Sequence, residues 1–332
     1  MTVPDLDPEL SAAMCRAYND WLYEFMEPDR ERMFGAAMVT PFDVDGGLDV
    51  DAAAAVATHL VDHGHDGLVI SGTTGESPTM SVEENGRLLR AVIDAVGDRV
   101  HVVAGIGSND TAHSVELARQ AEKAGATGSL LVTPYYSKPS QAGILHHFQT
   151  VVGAAGLPVI LYDVPGRTGV QIAEDTYARA AEDERVVAVK DAVGDLARGV
   201  SIMQRTGLSF YSGDDALNLA WLVHGGSGIV SVVAHAAGDL YAALVASVLA
   251  GRLDDALGLY RQVLPAVEAI MTGPNYGAPM AKAALEELGV TSNRVVRSPL
   301  VSADDEDCAR LRRGLVAARL LDGSADVEDG RP

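Results

Sequence analysis

The chain has 332 residues, enough for one α/β barrel of about 250 residues plus a helical appendage. Apolar residues make up 48% of it and aromatics only 5%, so a large core has to be built from Ala, Val, Leu and Ile. A net charge of −21 excludes nucleic acid and anionic membrane surfaces as natural partners, because both call for clustered Lys and Arg. No apolar run approaches the roughly 20 residues that cross a bilayer.

The start of the chain, Met1–Asp7, is acidic and lacks the basic-then-apolar pattern of a secretory leader, which predicts a cytoplasmic protein. Residues 1–33 read as an N-terminal helical extension, with Pro8–Met26 amphipathic and Trp21, Leu22 and Phe25 on its apolar face. From residue 34 the chain alternates short β-rich runs with helical stretches. The strand candidates are Phe34–Val39, Gly67–Ser71, Val100–Ile106, Gly128–Thr133, Pro158–Asp163, Val186–Asp191, Leu208–Gly213 and Gly228–Val233. Most are continuous apolar runs, as in parallel strands buried on both faces. Between the first two, Ala53, Val56, Ala57, Leu60 and Val61 recur at helical spacing, with Gly64 after them as a candidate C-cap. Ser81 and Glu84 stand at capping-box spacing ahead of a helix that ends at Gly97. Eight β/α units predict a closed (β/α)8 TIM barrel over 34–251, with an open doubly wound sheet as the alternative. No strand pattern follows. Asp254–Met271, Pro279–Leu288 and Asp304–Leu321 read as helices, predicting a C-terminal helical domain over 252–321 and a polar, frayed tail over 322–332.

Active sites on this fold gather at the C-terminal ends of the strands. Five of the predicted strands end in polar residues suited to binding or acid–base work. Lys190 stands out among the chain's four lysines because it alone ends an apolar strand, Val186–Val189. Desolvation disfavours an ammonium and frees the amine to attack a carbonyl. Position alone leaves open that Lys190 snorkels to solvent or pairs with Asp191. The Gly72–Ser77 turn, with Thr73 and Thr74 between glycines, can aim N–H and hydroxyl groups at a carboxylate, or is an ordinary tight turn. Tyr162, one strand before Lys190, can shuttle protons or pack the barrel rim. Arg167 can grip a carboxylate or make a surface ion pair. His146 and His147 lack a partner at ligand spacing and read as surface or interface residues, not metal ligands. Cys15 and Cys308 offer neither a disulfide framework nor zinc spacing.

Taken together, these motifs resemble the dihydrodipicolinate synthase family within the N-acetylneuraminate lyase superfamily. The resemblance runs from about Met38 to Ala318 and includes Val39-Thr40-Pro41-Phe42, Gly72–Ser77, Val132–Tyr136, Ser137-Lys138-Pro139, Tyr162–Gly169, Val189–Ala192, Tyr211–Asp215 and Gly228–Ser231. It implies a Schiff-base lyase that condenses pyruvate with L-aspartate 4-semialdehyde in lysine and diaminopimelate synthesis, without metal or organic cofactor, as a homotetramer. It further implies that Lys190 forms the imine, and that Thr73, Tyr162 and Tyr136 relay protons, Tyr136 coming from a neighbouring subunit. Thr73 and Thr74 would hold the pyruvate carboxylate and Arg167 that of the semialdehyde, while Gly213 and the Val230 carbonyl line the pocket. Arg167 and the Thr73–Thr74 pair favour the synthase over a sugar-acid aldolase or dehydratase of the same superfamily. A non-catalytic barrel with a binding or regulatory role is a third reading. Lysine-inhibited members carry a glutamate and histidines at an effector site; here His113, Val82 and Asn85 match those positions, which implies weak or absent lysine feedback.

Overall fold

The structure, a computed structural model, describes residues 33–322; the predicted helix at Pro8–Met26, Cys15 and most of the predicted tail lie outside them. Eight parallel strands close into a barrel in chain order. They are β1 (Met33–Ala37), β2 (Gly67–Ile70), β3 (His101–Gly105), β4 (Gly128–Val132), β5 (Val159–Asp163), β6 (Val186–Asp191), β7 (Ser209–Ser212) and β8 (Gly228–Ser231). Each predicted strand is present: β6 has the predicted bounds, β1 starts one residue earlier and ends two earlier, and the other six are one or two residues shorter. The open sheet is excluded because β1 pairs with β8 as well as with β2.

The helices that clothe the barrel are α1 (Val50–Asp62), α2 (Val82–Val96), α3 (Thr111–Ala124), α4 (Gln141–Val152), α5 (Glu174–Ala180), α6 (Leu196–Thr206), α7 (Asn218–Val223) and α8 (Ala234–Leu249). Side-chain caps start most of them. Asp49 accepts from the Ala52 N–H, Ser140 from Gly143 and Asp195 from Arg198. Ser81 and Glu84 form the predicted reciprocal capping box at α2. Such caps satisfy amides that the first helical turn leaves without partners, and so mark where each helix begins.

Three more helices follow: α9 (Leu253–Met271), α10 (Ala278–Glu287) and α11 (Asp305–Ala317). Helix α9 packs on α8, and α11 packs on α9. The α9–α11 approach is close at Gly314, where a Cβ would stand 2.5 Å from Ala269 Cβ and 2.8 Å from Pro265 O. These helices bring Lys282 and Arg297, in the loop after α10, back against the barrel mouth.

The β8–β1 seam is closed partly by a neutral imidazole. The Val39 N–H donates to His235 Nε2 at 3.1 Å, so that nitrogen carries no proton, and His235 Nδ1 donates to Val232 O at 2.7 Å. Burial pushes His235 down to about 4 and His65 down to about 3. His147 corrects the sequence reading: it is buried, not on the surface, with Nδ1 3.0 Å from Thr111 Oγ1, and burial pushes it to about 4. A histidine kept neutral in the fold takes up a proton near 6.5 once unfolded, so its contribution to stability is intact above 6.5 and is lost as pH falls toward the folded value. The expected outcome is a melting temperature that declines from pH 6.5 toward pH 4, with a shallower slope in His235→Gln, which keeps a donor and an acceptor but does not titrate. An unchanged slope in that variant would remove His235 from the explanation.

Candidate active site

Laterally adjacent residues of a parallel sheet point the same way, and successive residues alternate. Tyr162 of β5 is in register with Lys190 of β6, and Lys190 with Tyr211 of β7. These three form a row on one face of the barrel wall. Their successors, Asp163, Asp191 and Ser212, form the next row and point the other way. The register depends on one irregularity. Val159 pairs with Val186 but Ile160 with Ala188, so Val187 is an extra residue in β6. Without that bulge Tyr162 would stand opposite Val189, one residue short of Lys190 and on the wrong face.

Lys190 is 5% exposed and its Nζ lies 4.5 Å from the centroid of the Tyr162 ring. Among the described residues it makes no hydrogen bond or ion pair. Asp191, the alternative partner weighed from sequence, turns away to accept from the Val193 and Gly194 N–H groups at 3.1 and 3.3 Å. Burial pushes the Lys190 amine down to about 8, opposed by the Asp215 carboxylate and assisted by the Arg167 cation. Burial also pushes the Tyr162 phenol up to about 12, so it stays protonated at neutral pH. Asp215 itself is fully enclosed. It accepts from Ser231 Oγ, from the Val232 N–H at 3.0 Å, the Val233 N–H at 3.3 Å and Asn218 Nδ2 at 3.2 Å, tying the loops after β7 and β8 together.

A cavity of 210 Å³ opens beside Tyr162, lined by Ser71, Gly72, Thr73, Tyr135, Tyr162 and Arg167 among others. A larger one of 590 Å³ lies by the first residue of the β1 core, Phe34, and the end of α1, away from this chemistry. The Gly72–Ser77 turn is bracketed by two non-glycine residues in the left-handed region, Ser71 at φ 59° and Glu76 at φ 55°. Its carbonyls are engaged: Thr40 Oγ1 donates to Gly75 O at 2.6 Å and the Glu76 N–H to Thr73 O at 3.1 Å. Among the described residues, the Thr73 and Thr74 hydroxyls and backbone N–H groups have no hydrogen-bond partner, which leaves them open to an anion.

Arg167 rises from a helical turn, Pro165–Thr168, after β5. Its guanidinium sits 5.4 Å from the Tyr276 ring centroid and, among the described residues, pairs with no carboxylate. Asp163 fixes the base of this loop by accepting from the Tyr177 hydroxyl at 3.0 Å and the Ile172 N–H at 3.2 Å. Tyr136 is 88% exposed and held at φ 70°, a conformation disfavoured for a large side chain. Gly213 lies against Lys190: a Cβ there would come within 2.9 Å of Lys190 Cε.

The cavity thus brings together Thr73, Tyr162 and Arg167, with Lys190 reached through Tyr162. Thr74, Gly213 and Tyr136 stand around it without lining it. Val230 instead lines a 40 Å³ cavity with Phe34, Gly67 and His101, residues near the N-terminal ends of the strands. Sequence reasoning missed the Val187 bulge, the Asp215 anchor and the ring of Tyr276. Only Asp215 carried a signal, as an acid at a strand end.

Fold and site define a (β/α)8-barrel protein that holds at its mouth a desolvated amine and a guanidinium without a carboxylate partner among the described residues. The model of the dihydrodipicolinate synthetase family matches residues 31–318, and the chain belongs to that family. It is 59% identical over 299 residues to the 4-hydroxy-tetrahydrodipicolinate synthase of Kineococcus radiotolerans, covering 89% of this chain and 97% of that protein. It is 54% identical to the protein of the same name from Acidothermus cellulolyticus, covering 89% and 95%. Among solved structures, the dihydrodipicolinate synthase of Acinetobacter baumannii complexed with pyruvate is similar with a TM-score of 0.83 at 33% identity, covering 88% of this chain and all of that one.

In the folded protein, acylation of Lys190 by a small amine-reactive ester, read peptide by peptide, is expected to rise around pH 8 and not near 10.5. Gly213→Ala drives a methyl into the Lys190 side chain and should change its acylation rate severalfold while circular dichroism stays unchanged; identical labelling would show that the side chain has room to spare.

Proposed function

We propose that this chain condenses pyruvate with L-aspartate 4-semialdehyde to 4-hydroxy-tetrahydrodipicolinate, the pyruvate-dependent step of lysine and diaminopimelate synthesis. The observation that carries this reading is the buried Lys190 amine stacked on Tyr162, beside a turn and a guanidinium that are both free to bind carboxylates. Family membership and the names of the relatives support the same reaction.

Neutral Lys190 attacks C2 of pyruvate. With an amine near 8, about a tenth of the molecules are already neutral at pH 7, against almost none for an ordinary lysine. The Thr73 and Thr74 hydroxyls and N–H groups hold the pyruvate carboxylate. Tyr162, protonated and in contact with the amine, passes protons to the carbinolamine oxygen so that water leaves and the imine forms. The protonated imine draws electrons from C3, which loses a proton to give an enamine. The enamine attacks the aldehyde carbon of the second substrate, and Tyr162 protonates the new alkoxide. Arg167 holds that substrate's carboxylate through paired N–H donors. The substrate's own amine then displaces Lys190 by transimination, closing the ring and regenerating the enzyme.

Gly213 keeps space for Lys190. We assign the exposed, strained Tyr136 to the proton relay of a neighbouring subunit in a homotetramer, where its ring would be covered. Its exposure supports this, since a large ring held out in water at positive φ gains nothing in an isolated chain.

Incubation with pyruvate and borohydride should give a covalent adduct on Lys190 by intact mass, absent in Lys190→Ala, whose turnover should fall by several orders of magnitude. Tyr162→Phe should keep the fold and slow turnover by about a hundredfold. Lack of a pyruvate adduct on wild-type protein, or preference for a sugar-acid substrate over the semialdehyde, would overturn the reading. Because His113, Val82 and Asn85 occupy the effector positions, free lysine at sub-millimolar concentration is expected to leave the rate unchanged, and inhibition there would contradict that expectation.

A further inference from the structure

The barrel mouth contains a second buried lysine that the proposed chemistry does not use. Lys282 of α10 donates from Nζ to Glu76 Oε1 at 2.5 Å, and the two side chains are 4% and 1% exposed. The same amine donates to Val295 O at 2.7 Å. Glu76 Oε2 accepts from the Arg297 N–H at 2.8 Å. Arg297 in turn reaches the start of α2, with Nη2 2.6 Å from Glu84 Oε1 and Nη1 2.9 Å from Thr79 O. Phe42 is buried between the two cations, its ring centroid 4.2 Å from Lys282 Nζ and 4.2 Å from Arg297 Cζ.

Glu76 is the last-but-one residue of the turn that presents Thr73 and Thr74. It is a non-glycine residue at φ 55°, a conformation that persists only when its surroundings over-determine it. Two donors from the segment 282–297, the Lys282 amine and the Arg297 N–H, converge on its carboxylate, and its own carbonyl accepts from the Thr79 N–H at 2.9 Å. An exposed acid would end this turn as well. A fully buried ion pair is expensive in desolvation and is better understood as fixing one geometry than as adding net stability.

We propose that Glu76 and Lys282 are positioning residues for the reaction: the C-terminal helices supply a buried cation that locks the Glu76 carboxylate, and through it the Thr73–Thr74 turn, in the shape that receives the pyruvate carboxylate. The inference rests on the reading of function given above. It also gives α10 a specific task at the mouth of a barrel whose strands it does not join.

The test uses the full chain as wild type, Glu76→Gln, Lys282→Met and the double variant. Each is followed by thermal unfolding, by borohydride trapping with pyruvate, and by steady-state kinetics with each substrate varied in turn. Failure of wild-type protein to trap pyruvate would remove the functional reading and the positioning role together. With the wild-type adduct in hand, Glu76→Gln is expected to raise KM for pyruvate about tenfold to a hundredfold, as for a binding group displaced by a fraction of an ångström, while KM for the semialdehyde stays near its wild-type value. Lys282→Met should do the same and melt earlier, because it leaves a buried carboxylate without its cation. The double variant, neutral at both positions, should recover thermal stability yet keep the raised KM for pyruvate, a split that a purely structural pair would not produce. If Lys282→Met does not fold, Glu76→Gln and the double variant decide alone. Wild-type pyruvate kinetics in either of those two, or an equal rise in KM for both substrates, overturns the proposal.

Discussion

Lys190 Nζ loses its water to the closed wall of strands around it and meets the face of Tyr162 at 4.5 Å in return. The aromatic quadrupole compensates a desolvated ammonium only partly. The amine therefore sits near 8 and is held between its charged and neutral forms. The rest of the mouth is arranged around that balance. Arg167 favours loss of the proton, and Asp215 opposes it from a distance, its own charge engaged by donors from the loops after β7 and β8. An ion pair directly on Lys190 would have held its amine charged, as in an ordinary lysine.

That arrangement depends on strand register. The extra residue at Val187 shifts β6 by one position against β5, which places Lys190 on the same face as Tyr162. The same shift puts Asp163 beside Asp191 on the outer face, where burial pushes Asp163 up to about 7 and raises Asp191 as well. Two neighbouring acids behind the site would repel if both were charged. Their tolerance comes from the donors each has found: Tyr177 and Ile172 for Asp163, Val193 and Gly194 for Asp191. The inner row thus carries the groups suited to chemistry, and the outer row pins the loops that follow them.

The C-terminal helices complete the mouth from outside the barrel. Tyr276 lies under the Arg167 guanidinium, and Lys282 and Arg297 converge on Glu76 and Glu84. The Thr73–Thr74 turn and Arg167, the two features we assign to carboxylate binding, are each backed by a side chain from residues 276–297.

Much of this was legible in the sequence because it rests on local, periodic information. Continuous apolar runs specify buried parallel strands, and eight of them with helices between admit few architectures other than a closed barrel. A lysine ending such a run is conspicuous through the cost of burying its charge, so Lys190 could be singled out with Tyr162, Thr73 and Arg167 near it. The sequence could not show that Val187 is a bulge, since an extra valine in an apolar strand leaves the pattern unchanged. It also gave no sign that His147 and Lys282 are buried, because polar residues on a helix normally face solvent and their burial depends on partners far along the chain. The pairing of Lys282 with Glu76, 206 positions away, is such a case. Composition and periodicity decided which elements form and where the strand ends lie; only closure of the barrel and the return of the last helices decided which charges lose their water, because desolvation is a property of everything packed around a group and not of its neighbours in sequence.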